Sequence, residues 1–354
     1  MKHYVILTYG KLPRQSGMLR SREIGKELVR RGVTVTYVVD DYPENHGDLD
    51  LPPQARVVFV PQPRSWGQVR ARRRILAGLA PAWVHCHDLV WRSVLALAWR
   101  GKDLHFLMDW DEPAIFKSWP WWRLVLERVL AWWARGHAEK IVACALYFQE
   151  YLRQRYGLES EYIPYGLYME PPADGPSPFA APTIVYMGSM HLSWDTDILF
   201  EAFALMARRG CKPPIVMVGG LYKDAPWPDF CRTHQLDNVT FAGYLPTAEM
   251  SCYLRHAHVL TFPIRPTPLN ASRCPSKALA YAQARRPIIT SKVGEVAQML
   301  GDRATYVDPT PEAMAAALEK AITAPRPPDV DYQIERLSYA HLVDRLMRLL
   351  GWDK

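Results

Sequence analysis

Short apolar runs rich in β-branched residues punctuate this chain, and between them apolar positions recur every three or four residues. The first kind reads as buried parallel strand, the second as helix with one face on a core. In the first half, strands are predicted at 3–8, 33–39, 57–60, 83–87, 105–108 and 141–145. Residues 162–164 then lead into a loop at Tyr165 and Gly166. The segment 18–31 is a helix with Leu19, Ile24, Leu28 and Val29 near one face, and Gly32 ends it. In the second half, strands are predicted at 183–187, 215–218, 239–242, 258–263, 287–290 and 304–307. Helices fall at 196–208, 247–256 and 311–322, with a short one from Glu295 and one or two closing helices over 332–350. Strand and helix in this alternation make βαβ units, so the class is α/β with parallel sheets.

A proline-rich stretch at 169–182 interrupts the rhythm near the middle, where it reads as a linker. The expected organisation is a domain over 1–168, the linker, a second domain over 183–335, and a closing segment 336–354 that can cross back to the first domain. A length of 354 residues suits two domains. At 49% hydrophobic and 22% charged residues the chain has ample core, which excludes a disordered protein. No apolar run is long enough to span a bilayer, and the N-terminus enters a strand directly, so neither a membrane span nor a signal peptide is expected. Six scattered cysteines without a CxxC pair point to a reduced, cytoplasmic setting and no zinc site. The trio His85-Cys86-His87 reads as a strand end rather than a ligand set.

Charge changes the picture in one half only. Residues 1–165 carry 24 Lys and Arg against 17 Asp and Glu, whereas the remainder carries 19 of each. The excess of +7 thus sits in the first half and suggests an anionic partner there. Two segments concentrate it. Residues 64–74 hold Arg64, Arg70, Arg72, Arg73 and Arg74 beside Trp66. Residues 119–135 read as a helix rich in Trp, Leu and Val, with a narrow polar stripe of Arg123, Glu127 and Arg128. Core packing accounts for the aliphatics; the tryptophans favour a membrane interface, and nucleic acid is disfavoured because the aromatics form no stacking platform.

Candidate chemistry gathers at strand ends. In 270–287, between two strands, a helix is expected to start near residues 274–276. Its N-terminus at Ser276, with Lys277 and Arg273 beside it, offers N–H groups and positive charge to a phosphate. An ordinary βα corner with solvated cations is the simpler alternative. Gly17 ahead of the first helix, and Gly188, Gly219 and Gly243 past strand ends, leave room for a ligand at the carboxyl edge of a sheet. No GxGxxG is present, so a dinucleotide site of that kind is not supported. After the 105–108 strand come Asp109, Trp110, Asp111 and Glu112. Crowded carboxylates beside an indole would raise at least one pKa, suiting Asp111 or Asp109 to a general base; a helix cap and two solvated acids would look the same.

These landmarks together resemble family 4 glycosyltransferases of the GT-B fold. They are Ser16-Gly17 before the first helix, Val84-His-Cys-His-Asp88, Tyr162-Ile-Pro-Tyr-Gly-Leu167, Val185-Tyr-Met-Gly-Ser189, Val239-Thr-Phe-Ala-Gly-Tyr244, and Pro275-Ser-Lys277 with Pro287. The resemblance implies two Rossmann-like, doubly wound domains facing a cleft, with a nucleotide-sugar mainly on the second and the acceptor on the first. It implies a donor site of Gly17, Gly188, Ser189, Gly219, Tyr244, Arg273, Ser276 and Lys277, with Tyr244 toward the nucleobase, and Asp111 near the place where the family often carries a His. It also implies no metal and no cofactor beyond the nucleotide-diphosphate sugar. The chain departs from the family at a Glu-x7-Glu pair, which falls on Ser272 and Ala280, and at a diphosphate-clamping Arg and Lys, which fall on Ser189 and Trp194. The Asn common before the linker glycine is Tyr165. The expected function is glycosyl transfer to a lipid-linked or cell-surface glycan acceptor at the cytoplasmic membrane face. A silent GT-B scaffold of a partner transferase is the alternative, and a sugar-nucleotide epimerase stands third.

Overall fold

The computed structural model describes residues 2–12, 18–61, 66–87, 90–98, 101–110, 120–168, 175–191, 194–222 and 224–352. The chain divides into two compact units, one of Met1–Gly166 with Leu337–Lys354, the other of Leu167–Arg336.

In the first unit, β1 (His3–Leu7), β2 (Thr34–Asp40), β3 (Arg56–Val60), β4 (Ala82–His87), β5 (Leu104–Trp110), β6 (Lys140–Ala143) and β7 (Glu161–Tyr162) form a parallel sheet in the order β3-β2-β1-β4-β5-β6-β7. β1, between β2 and β4, is buried along nearly its whole length, as a strand covered on both faces must be. Helices α1 (Met18–Arg30), α2 (Trp66–Ala77), α3 (Trp91–Ala98), α4 (Trp121–His137) and α5 (Leu146–Tyr156) connect the strands. The strand order runs outward from β1 and then reverses: β2 and β3 lie on one side, β4 to β7 on the other. The carboxyl ends of β1 and β4 therefore flank a topological switch point.

The second unit repeats the plan. β8 (Ile184–Met187), β9 (Ile215–Val218), β10 (Val239–Gly243), β11 (Val259–Phe262), β12 (Ile288–Thr290) and β13 (Thr305–Tyr306) are ordered β10-β9-β8-β11-β12-β13, all parallel, with the switch between β8 and β11. Its helices are α6 (Thr196–Arg208), α7 (Trp227–Thr233), α8 (Thr247–His256), α9 (Pro268–Ser272), α10 (Ser276–Gln283), α11 (Glu295–Leu300) and α12 (Pro311–Thr323). The closing segment holds a short 3-10 turn, Ile334–Leu337, and α13 (Tyr339–Leu349). α13 packs on α1 of the first unit, where Arg31 pairs with Asp344 and Arg345 reaches Glu161 at 2.6 Å.

Two short helices, α7 and α9, are not read from apolar periodicity because neither is long enough to show it. α9 nonetheless carries a local signature: Thr267 caps it by accepting from the Asn270 N–H at 3.2 Å, and Pro268 follows in the first turn. On α1 the buried face runs through Arg20, Ser21, Ile24, Gly25 and Leu28, while Leu19 and Val29 are only half-buried. The face expected from the aliphatics alone is thus rotated, and an arginine lies inside it.

The six cysteines are free thiols. Among the described residues no helix is long and apolar enough to cross a membrane.

Candidate functional site

The donor-side residues of the second unit converge on its switch point. β8 ends in Gly188, whose φ of +144° suits glycine, and a Cβ there would lie 2.5 Å from Lys277 Nζ. Lys277 sits in the first turn of α10, just after Pro275 and Ser276, and donates to the Tyr186 hydroxyl at 3.1 Å. That hydroxyl donates to the Ser189 carbonyl at 3.0 Å, so lysine, tyrosine and the β8 loop are one chain of hydrogen bonds. Burial and the neighbouring Arg273 push the Lys277 amine down to about 7. Ser276 opens α10 beside the Tyr168 hydroxyl, which burial raises to about 12.

Arg273 lies between α9 and α10, its guanidinium 4.0 Å from the Trp194 ring centre and its Nη1 donating to Asn270 Oδ1 at 3.1 Å. Lys277 Nζ is 5.8 Å from the same ring. Asn270 in turn donates to Asp195 at 2.9 Å, and Asp195 holds Arg265 at 2.8 Å. Trp194, Asp195, Asn270, Arg273 and Lys277 line one small cavity with Phe262 at the end of β11. Trp194 occupies a position where the resemblance implies a clamping lysine, and here two cations from other elements reach its ring. The Glu-x7-Glu positions are closed to any ligand: Ser272 is buried with its hydroxyl on the Leu269 carbonyl, and Ala280 is buried in the core.

Gly219 backs this edge. Its N–H donates to the Gly243 carbonyl at 2.7 Å, its φ is +121°, and a Cβ would meet the Gly188 carbonyl oxygen at 2.4 Å. Tyr244, 84% exposed, stands over Gly220, where a Cβ would lie 2.4 Å from its hydroxyl. Gly188, Ser189, Arg273, Ser276 and Lys277 therefore share one neighbourhood; Gly219 supports it from behind, and Tyr244 is an exposed ring past the neighbouring strand. Gly17 lies outside the described residues.

The first unit gathers a different set at the ends of β4 and β5. Strand alternation separates Cys86 from its neighbours, but it also turns His85 and His87 to the same side, which the strand-end reading overlooked. Asp109 is in register with His87. The Asp109 carboxylate pairs with Arg20 from α1 and accepts from His85 Nε2 at 2.8 Å, while His87 Nδ1 stands 3.8 Å away. With Nε2 donating, His85 Nδ1 accepts from the Tyr4 hydroxyl at 3.1 Å. Burial lowers the His85 pKa against the pull of Asp109, which keeps this imidazole neutral.

Asp109 corrects an expectation. Crowded carboxylates were to raise a pKa; burial does push Asp109 upward, but the Arg20 guanidinium and the His85 hydrogen bond outweigh it and hold the carboxyl well below its usual range. A carboxylate so firmly ionised and engaged on both oxygens is a poor proton acceptor, so Asp109 orients rather than reacts. Trp110 is buried against Phe148 and Tyr156. Asp111 lies outside the described residues. His85, His87 and Asp109 also bring three ligand atoms within 4.8 Å of one another. A divalent ion there would meet the buried guanidinium of Arg20 on the same carboxylate, which makes the set a poor metal seat. Arg20 was missed because a lone arginine in an amphipathic helix reads as solvated; its 20-24-28 spacing with Ile24 and Leu28 was the available signal.

Comparison with known proteins places these two sheets. Residues 20–168 match the model described as Glycosyltransferase Family 4, and residues 181–324 match Glycosyl transferases group 1. No curated protein matches the chain by sequence. Among solved structures, a sucrose-phosphate synthase from Thermosynechococcus elongatus aligns with TM-score 0.74 at 16% identity over 100% of this chain and 96% of that one. A TarM mutant from S. aureus, in complex with fondaparinux, alpha-GlcNAc-glycerol and UDP, aligns with TM-score 0.78 at 8% identity over 99% of this chain and 100% of that one. HepE from Anabaena, in complex with UDP and glucose, aligns with TM-score 0.69 at 13% identity over 99% and 96%. With both sheets ordered as two Rossmann-like domains and both halves matched, the chain is a GT-B glycosyltransferase resembling family 4.

Proposed function

We propose that the protein transfers a sugar from a nucleotide-diphosphate donor to a glycan or lipid-linked acceptor at the cytoplasmic face of a membrane. The observation that carries this reading is the pair of cations, Lys277 and Arg273, brought to Trp194 at the switch point of the second sheet. They restore positive charge where the usual clamp is missing, so the diphosphate is met by protein cations and the α10 N-terminus, without a metal. Gly188 and Ser189 border the phosphate site, Gly219 supports them from behind, and Tyr244 stacks on the base. That HepE and TarM were each seen with UDP supports a uridine nucleotide as the first donor to try.

In the reaction the acceptor hydroxyl oxygen bonds to the anomeric carbon, the bond from that carbon to the diphosphate breaks, and the proton passes to Asp111. Arg20, His85 and Asp109 hold the β4–β5 edge from which Asp111 follows. Calorimetry with UDP and GDP, with and without EDTA, tests the donor half. Binding that survives EDTA and weakens in Lys277→Ala by about 1–3 kcal/mol is expected. Asp111→Asn should abolish transfer and leave nucleotide affinity intact. Wild-type protein that binds neither nucleotide would refute the donor site and favour a scaffold of a partner transferase.

A further inference from the structure

The first unit carries an exposed apolar surface that its fold does not use. α4 packs inward through Leu130, Ala131 and Ala134, with Trp133 half-buried near Phe106 at 6.1 Å. Its other side presents Trp121, Trp122, Val125, Leu126, Val129 and Trp132, from 38% to 75% exposed. At about 100° per residue these six positions fill one arc of roughly 140° running the length of the helix. A contiguous apolar stripe of this kind on a soluble domain marks a contact surface. Of the tryptophans expected outside the core, Trp121, Trp122 and Trp132 are exposed, Trp133 is half-buried, and Trp119 lies outside the described residues.

The charges around the stripe say what it contacts. α2 packs on α3 and α3 on α4, which makes the three helices one layer, and Trp66 at the start of α2 meets Trp91 at the start of α3 edge-on at 6.0 Å. This layer exposes Arg70, Arg73 and Arg74 on α2 and Arg123, Arg128 and Arg135 on α4. Its one acidic residue is Glu127, half-buried. Arg72 does not join them, contrary to the sequence reading: it is fully buried on Asp40 at 2.6 Å. Arg64 lies outside the described residues. Arg123 stacks over the Trp122 ring at 5.2 Å, so indole and guanidinium occupy one level of the surface. A protein partner or a second copy of this chain would have to cover indoles and six arginines with an acidic apolar surface. An anionic bilayer offers both at once, phosphate outside and acyl chain beneath.

We infer that α4 is an in-plane anchor on an anionic lipid surface, its apolar arc entering the boundary between headgroups and acyl chains and the α2 and α4 arginines engaging lipid phosphates. This deepens the membrane part of the reading above but needs neither nucleotide nor acceptor. The test is co-sedimentation of the full chain with vesicles of phosphatidylcholine alone and with phosphatidylglycerol added. Binding is expected only to the anionic vesicles and should be released by 0.5 M salt, roughly as screening at a Debye length of about 4 Å requires. Trp121→Glu/Trp132→Glu and, separately, Arg70→Glu/Arg73→Glu/Arg74→Glu should each weaken it about tenfold or more. All five positions are exposed, and unchanged melting confirms that the variants fold. Binding to neither vesicle, equal binding to both, or unaltered binding in both variants overturns the inference. So does a dimer seen by sedimentation velocity that Trp121→Glu/Trp132→Glu dissociates while the wild type ignores vesicles. UDP calorimetry on the same samples reads the donor site separately, so either reading can fail alone.

Discussion

Arg20 and Asp109, 89 residues apart, form an ion pair sealed inside the first unit, with side chains 0% and 1% exposed. The pair ties α1 to the end of β5, and Arg20 also donates to the Ile163 carbonyl. Desolvating two charges is costly, and their attraction together with these hydrogen bonds offsets that cost only while both are present. Asp109→Asn should therefore destabilise the protein by about 3–5 kcal/mol, by leaving the buried guanidinium without its counter-charge. Arg20→Met combined with Asp109→Leu should cost less than Asp109→Asn. Urea denaturation of the two variants checks this, and a double variant that loses as much stability as Asp109→Asn, or more, would contradict it.

The same pair sets an acid limit. The folded Asp109 pKa lies below its unfolded value of about 3.9, so its stabilisation is complete above that value and is lost as pH falls through the folded one. Wild-type stability should drop below about pH 4 along a limb that Asp109→Asn lacks. Denaturation midpoints between pH 2 and 6 measure it; parallel curves would show that Asp109 does not carry the effect.

Lys277 gives the donor site its own pH dependence. In the empty protein its amine titrates at about 7, and a bound diphosphate should raise that value. Below pH 7 the amine is already charged and affinity is at its plateau. Above it, binding must draw a proton from solvent, so affinity should fall by up to about tenfold per pH unit. Calorimetry at pH 8.5 in buffers of different ionisation enthalpy should register the uptake, and Lys277→Ala should remove both effects. Because burial disfavours the charged form, Lys277→Met should also stabilise the empty protein at neutral pH, with the gain vanishing as pH approaches the unfolded lysine value of about 10.4. A variant no more stable than wild type at pH 7 would count against the buried amine.

Gly188 and Gly219 should respond differently to alanine. At Gly219 the added carbon meets backbone, the Gly188 carbonyl, in a conformation at φ +121° that L-residues rarely adopt. The loss in stability should be on the order of 1–3 kcal/mol or more. Gly188→Ala shares that backbone strain at φ +144°, but its added carbon meets the tip of Lys277, which can move away, so nucleotide affinity should fall further than in Gly219→Ala relative to the stability lost. Melting and calorimetry on both variants separate the two; equal ratios would refute the contrast.

Strand positions were legible because a parallel strand covered on both faces is apolar throughout, and that signal is local in sequence. The helices Thr196–Arg208 and Thr247–His256 end where their apolar periodicity ends. Family landmarks at Gly188, Tyr244 and Pro275-Ser-Lys277 were readable for the same reason: each is a contiguous motif. Three features depended on the tertiary structure. Arg20 became a buried partner because α1 turns it toward β5, and no local pattern tells a solvated arginine from a paired one. His85 and His87 became a cluster only when β5 brought Asp109 into register beside them. Arg273 reached Trp194 across nearly eighty residues because the β8 and β11 edges meet at the switch point. Hydrophobic periodicity determines which segments become strand or helix. Which charges meet depends on strand order, since a buried charge is stable only beside a partner that distant chain delivers.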